Sequence, residues 1–155
     1  MKNLSILIIT ILMFSACKTT NKTQAISTVE NSEKFFTLYR GACYGQCPSF
    51  KIYINPDGSF NYYGKSYVDN IGKFEGILSK EQVDNLFNKL TTYNWAEYLT
   101  EYPVDNVDFP SFKIEYGDGK HLKTIKGNSN APKELIELTK SIDLLIKNLK
   151  MVAVE

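Results

Sequence analysis

Cys17, Cys43, Cys47 and the single histidine, His121, are the side chains of this sequence with the type and spacing for chemistry beyond packing. Cys43 and Cys47 lie in the string CYGQCP with three residues between them. Such a pair can be a disulfide, a thiol-redox couple or part of a metal site. A structural zinc site wants four Cys or His ligands, more than this chain offers near the pair. Copper is less demanding, and Cys43, Cys47 and His121 would form a three-ligand set. A reactive thiol is usually placed at a helix N-terminus, whose dipole stabilises thiolate. Here SFKIYINPDGSF follows and reads as strand and turn. The simplest reading is a structural disulfide, with Gly45 taking the unusual φ that so short a ring demands.

The compartment bears on that choice. Residues 1–17 read MKNLSILIITILMFSAC, one lysine followed by an apolar run from Leu4 to Phe14. A bilayer-spanning helix needs roughly 20 apolar residues, so this shorter run reads as a signal-peptide core. Ser15, Ala16 and Cys17 resemble the lipobox of bacterial lipoproteins, with Phe14 where the box usually begins with Leu. The resemblance implies cleavage before Cys17 and acylation of its thiol, and two or three acyl chains hold a protein stably on a membrane. Lys18 follows where inner-membrane retention signals usually place Asp, which implies outer-membrane sorting with the domain facing the periplasm. Export also puts Cys43 and Cys47 in an oxidising compartment, where a disulfide persists.

Removal of residues 1–16, Lys2 included, leaves 17 basic and 17 acidic side chains. A balanced charge gives no electrostatic footprint for nucleic acid. Residues 18–34, KTTNKTQAISTVENSEK, are polar and without periodicity, so they read as a tether. A flexible chain of that length spans roughly 20–25 Å on average and at most about 60 Å.

The remainder, residues 35–150, is enough for one domain with one core. Phe50, Ile52 and Ile54 alternate with Lys51 and Tyr53, Asn55-Pro56-Asp57-Gly58 supplies turn chemistry, and Phe60, Tyr62 and Gly64 resume the pattern. Lys73 to Leu78 predicts a further strand. Ser79 and Gln82 form a capping box ahead of Val83, Leu86, Phe87, Leu90 and Tyr93 at helical spacing. Phe112, Ile114 and Tyr116, a turn at Asp118-Gly119, and His121 to Lys126 predict a second hairpin. Pro132 opens a helix with Leu135, Leu138, Ile142, Leu145 and Leu149 as its buried stripe. The expected fold is α+β, an antiparallel sheet of about five to six strands with two helices on one face, in the order ββββαββα. The string PSFKI occurs twice, at 48–52 and 110–114, each time before a turn ending in Asp-Gly. A decayed duplication and a convergent hairpin solution both fit.

No catalytic set converges. There is no Gly-x-Ser-x-Gly elbow and no phosphate-binding glycine loop. His121 sits beside a turn, where a lone histidine is usually solvated. Glu101, Asp105 and Asp108 in TEYPVDNVDFP fit no calcium-loop spacing. The expectation is therefore a non-enzymatic domain without a cofactor. Tyr53 and Tyr63 alternate away from the core-facing residues, and Tyr39 can join them. On a face without helices they would make an amphipathic surface for an envelope protein or a glycan. The plainer alternative is cross-strand packing that stabilises the sheet.

CYGQCP is similar to the Cys-x3-Cys-Pro motif of the copper chaperones that serve cytochrome oxidase. Those proteins add a distant histidine, but in them a helix follows the motif. The wider pattern, RGACYGQCPSFKIYINPDGSFNYYG, then GKFEGILSKEQVDNLFNKL and the C-terminal APKELIELTKSIDLLI, resembles an uncharacterised domain family of short bacterial lipoproteins. Its specific part is Cys-x-Gly-x-Cys-Pro, matched by Cys43, Gly45, Cys47 and Pro48. That resemblance implies an α+β domain and a lipoprotein address, and it implies no enzymatic role.

Overall fold

The computed structural model describes residues 33–103 and 108–155, so Cys17, the signal segment, nearly all of the tether and Asp105 lie outside the described residues. Seven strands form a single sheet: β1 (Lys34–Arg40), β2 (Ser49–Ile54), β3 (Ser59–Ser66), β4 (Gly72–Ile77), β5 (Phe112–Asp118), β6 (Leu122–Gly127) and β7 (Val152–Ala153). Among the described residues two helices accompany them, α1 (Lys80–Thr91) between β4 and β5 and α2 (Lys133–Lys147) after β6. The sheet order is β6-β5-β1-β2-β3-β4-β7 and every neighbouring pair is antiparallel. The α+β class and the antiparallel sheet agree with the sequence. The count is higher by the two-residue β7, in which the C-terminal tail pairs with Phe74 and Glu75.

Hydrophobic alternation decides which face the helices cover. Ile125, Ile114, Leu38, Ile52, Tyr62 and Phe74 are successive register partners from β6 to β4, so their side chains line one side of the sheet. The first five belong to one core with Val83, Leu86, Phe87 and Leu90 of α1 and Leu135, Leu138, Ile142 and Ile146 of α2, and the partly buried Phe74 packs against it. On α2 the buried stripe runs through Ile146, whereas Leu145 and Leu149 pack only partly buried at its margin. The α1 capping box forms as predicted, Ser79 Oγ accepting from Gln82 N at 3.2 Å and Gln82 Oε1 accepting from Ser79 N at 2.8 Å. In the β2–β3 turn Gly58 adopts φ 89°, a conformation that favours glycine, and donates its N–H to Asn55 O.

Each sheet edge is covered in part. Thr100 and Tyr102 exchange backbone hydrogen bonds with Lys126 of β6, and Val154 N donates to Lys73 O of β4. Such cover shortens the backbone edge that another chain could extend. The aromatic cluster Tyr93, Trp95, Tyr98 and Tyr116 fastens the segment after α1, with Trp95 4.7 Å from the Tyr116 ring. Tyr98 Oη also donates to Glu134 Oε1 of α2. Among the described residues no helix is long and apolar enough to cross a membrane.

Candidate functional site

The two PSFKI strings are the two strands that flank β1. Phe50 and Phe112 both pair with Arg40, Ile52 and Ile114 both pair with Leu38, and Lys51 and Lys113 both pair with Tyr39. The repeated string thus meets one central strand from both sides in the same register. Close approach also fixes the next residue: Gly41 donates its N–H to Ser111 O, and a Cβ on Gly41 would overlap the Ser111 side chain.

Beyond Arg40 the chain turns through the disulfide Cys43–Cys47, whose Cα atoms are 5.7 Å apart. The pair predicted from the sequence is therefore a staple at one corner of the sheet. Gly45 does not take a left-handed φ, contrary to the expectation for so short a ring. Its N–H instead donates to Cys43 Sγ at 3.3 Å, which closes the loop without that conformation. Tyr44, at the loop tip, is 89 % exposed.

Arg40, the only arginine in the sequence, points to the helix-covered side of this corner and is buried. Its Nη2 lies 3.2 Å from Asp143 Oδ2 on α2, and Nη1 donates to Thr139 Oγ1 at 3.5 Å. Arg40 Nε and Asp143 Oδ1 are buried without hydrogen-bond partners among the described residues. Burial pulls the guanidinium below its ordinary pKa and Asp143 opposes the shift. Burial likewise raises the Asp143 carboxyl, against the charges of Arg40 and Lys147. Both shifts favour the neutral forms, so desolvation outweighs the attraction within the pair.

His121 is placed elsewhere. It follows the β5–β6 turn, half exposed, with Nδ1 3.2 Å from Asp118 Oδ2. Asp118 pairs with Lys34 at the start of β1, whereas the disulfide follows Arg40 at its end. The length of β1 separates them, roughly 20 Å, so the structure does not bring His121 to the cysteines. Among the described residues no three His, Cys, Asp or Glu side chains gather as metal ligands. Of the acidic loop, Glu101 forms an isolated bridge to Lys126, Asp108 is exposed and Asp105 lies outside the described residues.

The face opposite the helices carries a pattern of its own. Successive register partners Lys126, Lys113, Tyr39, Lys51, Tyr63 and Lys73 run across β6, β5, β1, β2, β3 and β4. Six strands at about 4.8 Å spacing make a row of four lysines and two tyrosines about 24 Å long. Lys65, on the same face of β3, holds its ammonium 5.1 Å from the Tyr39 ring centroid and 5.9 Å from that of Tyr63, a cation–π arrangement between two rings. Lys113 is paired with Glu115 at 2.5 Å. Lys51, Lys65, Lys73 and Lys126 are exposed and form no ion pair among the described residues. Between β2 and β4 a cleft of about 370 Å³ opens on this face, lined by Lys51, Tyr53, Asn61, Tyr63, Lys73 and Val154. Sequence alternation located Tyr39, Tyr53 and Tyr63 on this face, but the lysines escaped notice because each looks solvated until the register aligns them.

No curated protein matches the chain. Residues 34–146 match the family described as a domain of unknown function, DUF6438, and because that span is most of the 155 residues, the chain belongs to this family.

Proposed function

We propose that this protein is a lipid-anchored lipoprotein of the bacterial envelope whose domain is a non-enzymatic binding module. The anchor is the acylated Cys17 of the mature chain, placed in the outer membrane and facing the periplasm. The tether of residues 18–34 lets the domain float off the bilayer. The domain's working surface is the face of the sheet opposite α1 and α2, and the observation that carries this reading is the unbroken row Lys126-Lys113-Tyr39-Lys51-Tyr63-Lys73. Like charges directly across strands cost stability, and Lys126 stands opposite Lys113, whose charge Glu115 offsets. Cross-strand packing alone gives no reason to align them, whereas a partner of opposite charge does. The disulfide fixes the corner from which β1 and β2 present Tyr39 and Lys51.

The test uses growing cells that make the full chain with a photo-crosslinking residue at Tyr63, and separately at Leu144, which is 63 % exposed on α2. The same cells receive labelled fatty acid. The expected result is acylation lost in Cys17→Ala, and adducts with an envelope component from position 63 that are absent from position 144. Equal adducts from both positions, or none from either, would remove the binding face. Undiminished labelling of Cys17→Ala would remove the anchor.

A further inference from the structure

We infer that the row on the open face takes a linear anionic polysaccharide, with sugar rings lying on Tyr39 and Tyr63 and carboxylate or phosphate groups meeting the lysines between and beside them. This rests on the open face being the binding surface, and it names the class of occupant.

Three features select that class. The first is shape: the cationic band is about 24 Å long and, Lys65 apart, one residue wide, which fits a polymer lying across the strands. A planar anionic surface would also press on the neighbouring row, where Thr124, Glu115, Thr37, Tyr53, Asn61 and Glu75 are successive partners. The carboxylates of Glu115 and Glu75 would then oppose anionic lipid headgroups. A single polyanionic strand clears Glu75 and meets Glu115 only where that carboxylate already pairs with Lys113.

The second feature is the alternation of ring and charge. Tyrosine offers a rigid amphipathic ring, an apolar face with a hydroxyl at its edge, which suits the apolar face and rim hydroxyls of a sugar. Tyr39 and Tyr63 are two strands apart, with Lys51 between them in the row. Lys51 and Lys113, supplied by the two copies of PSFKI, stand on either side of Tyr39. Lys65 is held over both rings, so its charge is in place before the polymer arrives. The cleft between β2 and β4 continues the row beyond Tyr63 and ends at Val154 of the C-terminal tail.

The third feature is the covered edges. Peptides that recognise sheets commonly add a strand to a free edge, and here residues 100–102 already pair with Lys126 of β6 and residues 152–154 with Lys73, Phe74 and Glu75 of β4. The side-chain surface between them offers charge and rings rather than backbone.

Full-length acylated chain in uncharged detergent is titrated with four probes: an oligogalacturonate, a neutral glucan oligomer of equal length, poly-glutamate, and vesicles containing phosphatidylglycerol. The expected result is saturable binding of oligogalacturonate that weakens as salt rises, with the other three weaker by about tenfold or more. An exposed lysine–carboxylate contact contributes up to about fivefold in affinity, so Lys51→Gln with Lys73→Gln should lose about tenfold. Tyr63→Leu should lose a similar factor at every salt concentration, while Lys80→Gln with Lys133→Gln on the helices changes nothing. The melting temperature of each variant separates lost binding from lost folding.

Equal binding of poly-glutamate or of vesicles would overturn the polysaccharide in favour of a peptide or a membrane. Binding of the neutral glucan with no salt dependence would overturn the anionic requirement. No binding of any probe, beside adducts from position 63 in cells, would leave the face and remove its occupant; no binding and no adducts would remove both.

Discussion

The Arg40 guanidinium meets Asp143 through a single close contact, Nη2 to Oδ2 at 3.2 Å, and among the described residues Arg40 Nε and Asp143 Oδ1 are buried and unpartnered. A buried pair with incomplete hydrogen bonding recovers little of its desolvation cost, yet breaking it strands one charge. Asp143→Leu should destabilise by about 3 kcal/mol, because it leaves the more deeply buried guanidinium alone. Arg40→Met should cost less, because Asp143 retains 23 % of its side-chain exposure. The double variant should return to within about 1 kcal/mol of the parent, or exceed it. Urea unfolding of the four proteins measures the cycle. Additive losses in the double variant would show that the two residues are not coupled.

The Cys43–Cys47 disulfide closes a ring of only five residues, and the chain-entropy account assigns so short a loop about 2 kcal/mol. Cys43→Ser with Cys47→Ser should lower stability by about that amount and leave the sheet intact. Thiol alkylation followed by intact mass checks the pairing in protein recovered from the envelope. No labelling of Cys43 and Cys47 is expected until a reductant is added. Ready labelling, blocked by copper, would instead give the pair a metal or redox role.

Alkaline pH should unfold the domain in a defined window. Tyr62 is pushed up to about 12, mainly by burial and secondarily by the Asp69 charge. Burial raises Tyr93, Tyr98 and Tyr116 as well. A hydroxyl whose folded pKa exceeds its unfolded value contributes stability that is complete below the unfolded value, near 10, and lost as pH rises through the folded one. Stability should therefore fall between about pH 10 and pH 12, with part of the phenolate absorbance appearing only as the fold is lost. Simple titration of all ten tyrosines near pH 10, with circular dichroism unchanged, would contradict this.

Ser79→Ala removes the oxygen that accepts from Gln82 N at the start of α1. The expected cost is about 1 kcal/mol, and Ser79→Asp should restore most of it. Thermal unfolding of the two variants decides. An unchanged midpoint for the alanine form would mean the helix start is held by packing of Val83 and Leu86 alone.

The capping box and the helical spacing that follows it made α1 legible in the sequence, because both signals are local. The hairpin around Asn55–Gly58 was legible for the same reason. β1 was harder, since Phe36, Thr37 and Leu38 of this central strand are all buried and the alternation is muted. β7 left no signal because two residues show no period. The disulfide could be read from the spacing of Cys43 and Cys47 together with the strand and turn that follow them. The Arg40–Asp143 pair could not, although a lone arginine at the inward phase of Phe36 and Leu38 was the available sign. The lysine row is invisible in one dimension: its six residues come from six strands, and only the register assembles them.

Lysine labelling in place tests the central claim most directly. Intact envelopes carrying the full chain, and the same chain purified in detergent, are treated briefly with an amine-acylating reagent and compared by peptide mass spectrometry. Lys51, Lys73 and Lys126 should be protected in the envelope by severalfold, while Lys80 and Lys133, on the helices, label equally in both. Equal labelling of all five lysines in both preparations would contradict a working surface on the open face of the sheet.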